Sequence, residues 1–215
     1  MNLQSFILND INRVGKVWKM NPPNNDIISE NDVWVPESAL DVLIALLYGK
    51  GKTDSFGEPI EGITRLDKLM FLLSKNAYFK EIVNKGYVFE PDNFGPFAPE
   101  LFDDIEALRY ENIIEIISSR EPLSISEIAA EEVNVSPEED ADPSDSFTVN
   151  EYRLTGEGMQ VGALIWNGLS DKQKKAIYDI KKTWQNKSLN SLLHYVYNRY
   201  PETTEKSKIK DRYIH

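Results

Sequence analysis

Cysteine is absent from all 215 residues. No disulfide, thiol nucleophile or cysteine-ligated metal centre can form. Histidine is scarce, with only His194 and His215. Neither lies at a His–Glu metal spacing or beside the partners of a Ser–His–Asp triad, so the residues offer no catalytic constellation. The expectation is a non-enzyme with no cofactor and no metal. No run of eighteen apolar residues occurs, which argues against a membrane-spanning helix. The first twenty residues lack a basic start and a continuous apolar core, so no secretory signal is expected and the cytoplasm is the default location. Positive charge is also short, at a net −11. That balance opposes non-specific nucleic-acid binding, which needs cations to displace counterions from phosphates.

What is present suffices for one sizeable core: 41% hydrophobic and 11% aromatic residues. Charge is unevenly placed. Residues 121–145 hold nine carboxylates and no Lys or Arg, whereas residues 171–215 hold eleven Lys or Arg against five Asp or Glu. Solvated surface of both signs is the plain reading. The sharper one is an acidic segment that covers the basic C-terminal face or meets a basic partner.

Periodicity orders the chain. Leu3, Phe6, Ile7, Ile11, Val14 and Trp18 mark a short amphipathic helix, followed by a polar linker around Pro22 and Pro23. Its apolar face needs either the domain body or a second subunit, which would make a homodimer. A first confident helix is expected over 36–48, with Pro36 in its first turn, Gly49 as its cap, and Leu40, Leu43, Ile44 and Leu47 facing inward. Residues 49–62 form a glycine-rich loop. Its Gly-Lys-Gly-Lys-Thr run lacks phosphate-loop spacing and follows a helix, so a nucleotide site is rejected. A second helix is expected over 64–75, capped by Thr64 with Asp67 as the reciprocal acid and Leu66, Leu69, Met70 and Leu73 inward. Tyr87, Val88 and Phe89 are a short strand or extended segment. A third helix follows from Ala98 or Pro99 to about residue 112, with Asn112 as a left-handed cap. Strands at 113–119 and 147–154 flank an acidic wing. Helices are expected at 159–166, 170–185 and 188–200. The inner face of the second of these would be Ala176, Ile177, Ile180 and Trp184.

This order predicts a mainly α fold: a winged-helix domain with an N-terminal arm and a C-terminal helical extension. The division is 1–34 arm and linker, 35–168 core with its wing at 120–146, 169–200 helices, and 201–215 a charged tail.

Three groups of residues carry a resemblance. They are the helix Gly62-Ile63-Thr64-Arg65-Leu66-Asp67-Lys68-Leu69-Met70-Phe71-Leu72-Leu73, the turn Phe94-Gly95-Pro96-Phe97-Ala98-Pro99-Glu100-Leu101, and residues 192–207. Together they resemble the YwgA-like proteins and the related Panacea or SocA-type antitoxin domains, with their K-L-x-x-L-L helix and aromatic-Gly-Pro turn. Leu154-Thr155-Gly156-Glu157-Gly158 resembles the LT-x-x-G turn of winged-helix regulators. The Panacea-type resemblance implies toxin neutralisation by protein contact; this chain departs from it in its acidic wing and N-terminal arm.

The best candidate site is Phe94, Gly95, Pro96 and Phe97. Both rings read first as packing under the third helix, setting its entry angle; an exposed ring would instead be a partner anchor. The third helix sits where a winged-helix protein reads the major groove. Its outward residues Glu100, Asp103, Asp104 and Glu106, with Arg109 the lone cation, would each cost about 1 kcal/mol beside phosphate. Protein contact is therefore the leading function, through the turn and Glu100, Asp103 and Asp104. The alternative is a DNA-binding regulator using Lys172, Lys174, Lys175, Lys181, Lys182 and Lys187. His194 reads as a structural, half-buried histidine. Tyr195, Tyr197 and Tyr200 read as packing.

Overall fold

Ser38 starts the ordered core. Its hydroxyl accepts from the Asp41 N–H at 3.1 Å, and the Asp41 carboxylate accepts back from the Ser38 N–H at 3.1 Å. This capping box fixes the start of helix α1 (Ala39–Tyr48). Pro36 therefore lies two residues ahead of the cap rather than inside the first turn, because Ser38 and Asp41 satisfy the free amides better than a proline can. The computed structural model describes residues 35–120, 148–209 and Tyr213. The expected N-terminal arm (1–34) and the acidic wing beyond Arg120 (121–146) lie outside the described residues.

Helix α1 is not amphipathic in place. Every residue from 39 to 47 is buried, not only Leu40, Leu43, Ile44 and Leu47. A helix that is apolar all round belongs in the middle of a structure. Around it follow β1 (Ile60–Glu61), α2 (Ile63–Lys75), α3 (Lys80–Gly86), β2 (Glu90–Asp92), β3 (Gly95–Phe97) and α4 (Pro99–Tyr110). Then come β4 (Ile114–Arg120), β5 (Thr148–Leu154), α5 (Gly156–Gly168), α6 (Asp171–Gln185), α7 (Leu189–Arg199) and a 3-10 turn, Pro201–Thr204. The protein is mainly helical, with two small antiparallel sheets.

The larger sheet runs β1-β5-β4. Ile60 pairs with Tyr152, and the β4–β5 ladder runs from Ile114↔Leu154 to Arg120↔Thr148. Helix, strand, two helices and a closing strand pair, with the first strand beside the last, is winged-helix topology. Helix α4 holds the third-helix position. Helix α3 and the β2–β3 hairpin are inserted ahead of it.

Two expected turns hold, with a visible cause. Asn112 adopts φ 57°, and the Ile113 N–H reaches back to the Leu108 carbonyl at 2.8 Å, closing α4 in a left-handed cap. In the Leu154-Thr155-Gly156-Glu157-Gly158 turn, Thr155 caps α5 by accepting from the Gly158 N–H at 3.0 Å. A Cβ on Gly158 would run into the Ile113 carbonyl oxygen. Only glycine lets α5 start this close to the head of β4.

One expectation is corrected. Thr64 and Asp67 do not cap α2: the helix begins at Ile63 behind Gly62, no side chain caps it, and both Thr64 and Asp67 are buried. Of the two readings of residues 87–89, the extended segment holds, since strand pairing starts only at Glu90. Within the charged tail Thr203, Thr204 and Ile209 are buried, and Tyr213 donates to Asn190 at 2.7 Å.

Replacing Gly158 with alanine is expected to lower unfolding free energy by about 2–3 kcal/mol, as overpacking against fixed backbone does. Gly156→Ala, where an added Cβ meets nothing within 4 Å, should leave it unchanged. Urea denaturation of the two variants checks the difference.

Candidate functional site

The Phe94-Gly95-Pro96-Phe97 motif is not a simple turn leading into a helix. Gly95, Pro96 and Phe97 form strand β3, paired with β2 in the register Glu90↔Phe97, Pro91↔Pro96 and Asp92↔Gly95. Asn93 and Phe94 turn the hairpin. Gly95 has φ +90°, and a Cβ there would press on the Tyr197 ring at 3.1 Å. The position needs glycine both for its backbone and for the close approach of α7. Gly95 and Pro96 are buried. Phe94 is half-buried against the core, and the Phe97 ring packs 4.9 Å from that of Phe102.

The hairpin is tied down at both ends. From below, the Lys68 ammonium donates to the Pro96 carbonyl at 2.8 Å. From above, the Lys208 N–H and the Ser207 hydroxyl donate to the Asn93 carbonyl at 2.8 and 3.0 Å. Tyr197 shares a 2.6 Å hydrogen bond with Ser207.

Between α2, the hairpin and α4 lies a cleft of about 170 Å³, lined by Thr64, Asp67, Lys68, Asp92, Asn93, Phe94, Gly95, Phe97 and Phe102. At its floor Lys68 and Asp67 form a 2.6 Å ion pair, each no more than 3% exposed. Burial raises the Asp67 pKa, the Lys68 charge opposes that rise, and the nearby Asp92 carboxylate adds to it. The Ala98 N–H also favours the ionised form, but Asp67 Oδ1 has no hydrogen-bond partner. Among the described residues only one other buried side-chain polar atom lacks a partner, Glu100 Oε2, one residue beyond Pro99. Both are buried carboxylate oxygens without a hydrogen bond of normal geometry.

Two of the three segments that carry the resemblance thus meet at one place: the Asp-Lys of α2 and the Gly-Pro of the hairpin. Asp67, Lys68, Asp92 and Phe102 were not among the expected site residues. A signal for two of them exists, because Asp67 and Lys68 interrupt an otherwise unbroken apolar run from 66 to 73 and have no wet face to turn to.

The expected partner-binding acids separate. Asp103 is exposed and Glu100 is half-buried. Asp104 is a correction: it is buried rather than outward, and its carboxylate accepts from the Tyr87 hydroxyl at 2.7 Å. It sits on the α4 face that covers the chain leaving α3, so its carboxylate serves packing. His194 is likewise exposed rather than half-buried. It lines an open groove with Trp184, Lys187, Tyr195 and Arg199.

The expected lysine face does not form a continuous patch. Lys172 is exposed, and Lys174 is half-buried. Lys175 pairs with Asp179 at 2.6 Å and Lys182 with Asp54 at 2.8 Å. Lys187 lies 5.0 Å over the Trp184 ring. Lys181 is the clear correction. It is fully buried, and its ammonium donates to the carbonyls of Leu47, Gly49 and Glu58 at 3.0, 2.6 and 3.0 Å. Burial pushes its pKa down to about 7, against the pull of the Glu58 carboxylate.

Glu58 organises the glycine-rich loop. Its Oε1 accepts from the backbone N–H groups of Gly51, Thr53 and Ser55, each at 3.0 Å. Burial alone would raise its pKa, but these amides outweigh burial and hold it below the ordinary value. The loop amides that a phosphate would need are already filled by the chain's own carboxylate.

Among the described residues no three His, Asp or Glu groups gather as a metal site, and no helix is long and apolar enough to cross a membrane. The chain matches no protein-family model, no curated protein and no solved structure.

Two stability outcomes follow from the loop. Lys181→Met strands three buried carbonyls and should cost about 3 kcal/mol, while Lys172→Met should stay within about 0.5 kcal/mol. Glu58→Gln should cost about 2 kcal/mol at pH 7. A depressed carboxylate pKa gives stability that is present above the unfolded value, about 4.3, and is lost as pH falls through the folded value. The gap between wild type and Glu58→Gln should therefore shrink as the pH is taken below about 4. Guanidinium melts at a series of pH values measure it.

Proposed function

We propose that the protein is a non-enzymatic regulatory or adaptor module that acts by protein–protein contact. Its docking surface is the outer face of α4 together with the adjoining hairpin. The observation that carries this reading is Tyr110. It ends α4 and is 89% exposed. Its helix presents Asp103 and Glu106 to solvent, and Arg109 lies 3.6 Å from Glu106. An aromatic ring held in water beside carboxylates suits a protein anchor, since interface hot spots favour tyrosine. The same carboxylates repel phosphate, so the helix at the groove-reading position is poorly made for DNA. Neutralisation of a toxin protein is the form of this reading that the Panacea-type resemblance implies.

The second reading is a DNA-binding regulator. It draws on the groove at α6 and α7, where Lys187, His194 and Arg199 surround the Trp184–Tyr195 ring pair. Such a site mixes cations with stacking faces. It is the lesser reading because Lys175 and Lys182 are neutralised by Asp179 and Asp54.

A photo-crosslinking residue placed at Tyr110, with Tyr195 as the control position, tests the choice in cells. The expected result is one protein captured at 110 and absent at 195. A gel shift with duplex from the protein's own promoter region, over a salt series, should show no retardation. Retardation at low salt with no capture at 110 would reverse the ranking.

A further inference from the structure

We infer that the cleft beneath the β2–β3 hairpin is a receptor for a guanidinium group, supplied by an arginine side chain of the protein partner. The partner half of this inference rests on the protein-contact reading; the cleft's chemistry does not. Four observations carry it.

The first is size. At about 170 Å³ the cleft is below the range of drug-sized or cofactor sites, about 300–1,000 Å³. One side-chain head is a fitting occupant. The second is charge. Asp67 and Asp92 face one cation, Lys68, so the cleft carries an excess negative charge that a single added cation cancels. The third is an empty acceptor. Asp67 is 98% buried and lines the cleft, and apart from the influence of the Ala98 amide its Oδ1 makes no hydrogen bond. A buried acceptor left unmet is costly, and a donor from outside would relieve it. The fourth is the wall. Phe97 and Phe102 pack at 4.9 Å with Phe94 beside them, and ring faces attract cations.

Guanidinium fits these features better than ammonium. It is flat enough to lie along a ring while its fork donates to carboxylates at the edge. Lys68 already supplies the one point charge the floor accommodates, on Oδ2. The receptor is also held in shape before anything arrives. Lys68 fixes Pro96, and Ser207 and Lys208 fix Asn93. Little ordering cost then remains for binding.

The test is an NMR titration of the full chain with three ligands: the peptide Gly-Arg-Gly, its citrulline counterpart, and methylguanidinium. Citrulline keeps the shape and removes the charge. The arginine peptide should give saturable amide shifts at Asn93, Gly95 and Phe102, with affinity at least about tenfold above the citrulline peptide. Asp92→Asn, a change at the half-buried rim that spares the ion pair, should weaken binding by about three- to tenfold. Lys172→Met should leave it alone. Equal shifts with citrulline, unaltered binding in Asp92→Asn, or no saturable shift at all would overturn the inference. In the last case an ordered water is the group that meets Oδ1. Methylguanidinium as tight as the peptide overturns the partner assignment. Arginine binding without a crosslinked partner at 110 removes the contact reading and leaves the cleft; a partner without arginine binding does the reverse.

Discussion

A helix with no wet face sets the terms for everything around it. Because α1 is buried along its length, its last carbonyls cannot turn to water, yet they need donors. The ammonium of Lys181 supplies them, reaching the Leu47 and Gly49 carbonyls from α6. It also lies at the negative end of the α1 dipole, where a cation is favoured. The same ammonium holds the Glu58 carbonyl, and the Glu58 side chain gathers the loop amides. One cation and one carboxylate thus solve both sides of the same problem, a buried helix end followed by a glycine-rich loop. The helices of the C-terminal extension are part of the core for this reason. Without them α1 would be half bare.

The winged-helix frame explains where the candidate site lies. Between the second and third helices of the motif this chain places an extra helix and a hairpin, and the hairpin closes over the Asp67–Lys68 pair. The third helix keeps its position and loses the charge that would suit a DNA groove. Its first turn borders the cleft, and its last residue offers the exposed ring of Tyr110.

Much of this was legible in the residues. Local chemistry governs caps and turns, so the left-handed Asn112 and the Thr155–Gly158 turn both follow from sequence. The three-helix and two-strand order also follows, because period 3.6 and β-branched runs are strong signals. Other features depend on what the chain folds against. A lysine in the Lys-rich α6 pattern looks solvated until α1 is known to end against it. Asp67 looks like a capping acid because its spacing from Thr64 is right; that Gly62 starts the helix earlier cannot be read from spacing. The hairpin was hidden because Pro91 and Pro96 discourage a strand assignment, although a two-stranded hairpin leaves proline room on its free edges.

The bond between the Asn93 carbonyl and the amide of Lys208 joins residues more than a hundred positions apart. Contacts at such separation form late, since the loop between them must close first. A chain leaving the ribosome can build α1 and α2 early, but the hairpin gains its upper tie only when the residues beyond α7 have emerged. The cleft thus takes its final shape only once Ser207 and Lys208 have closed on the Asn93 carbonyl.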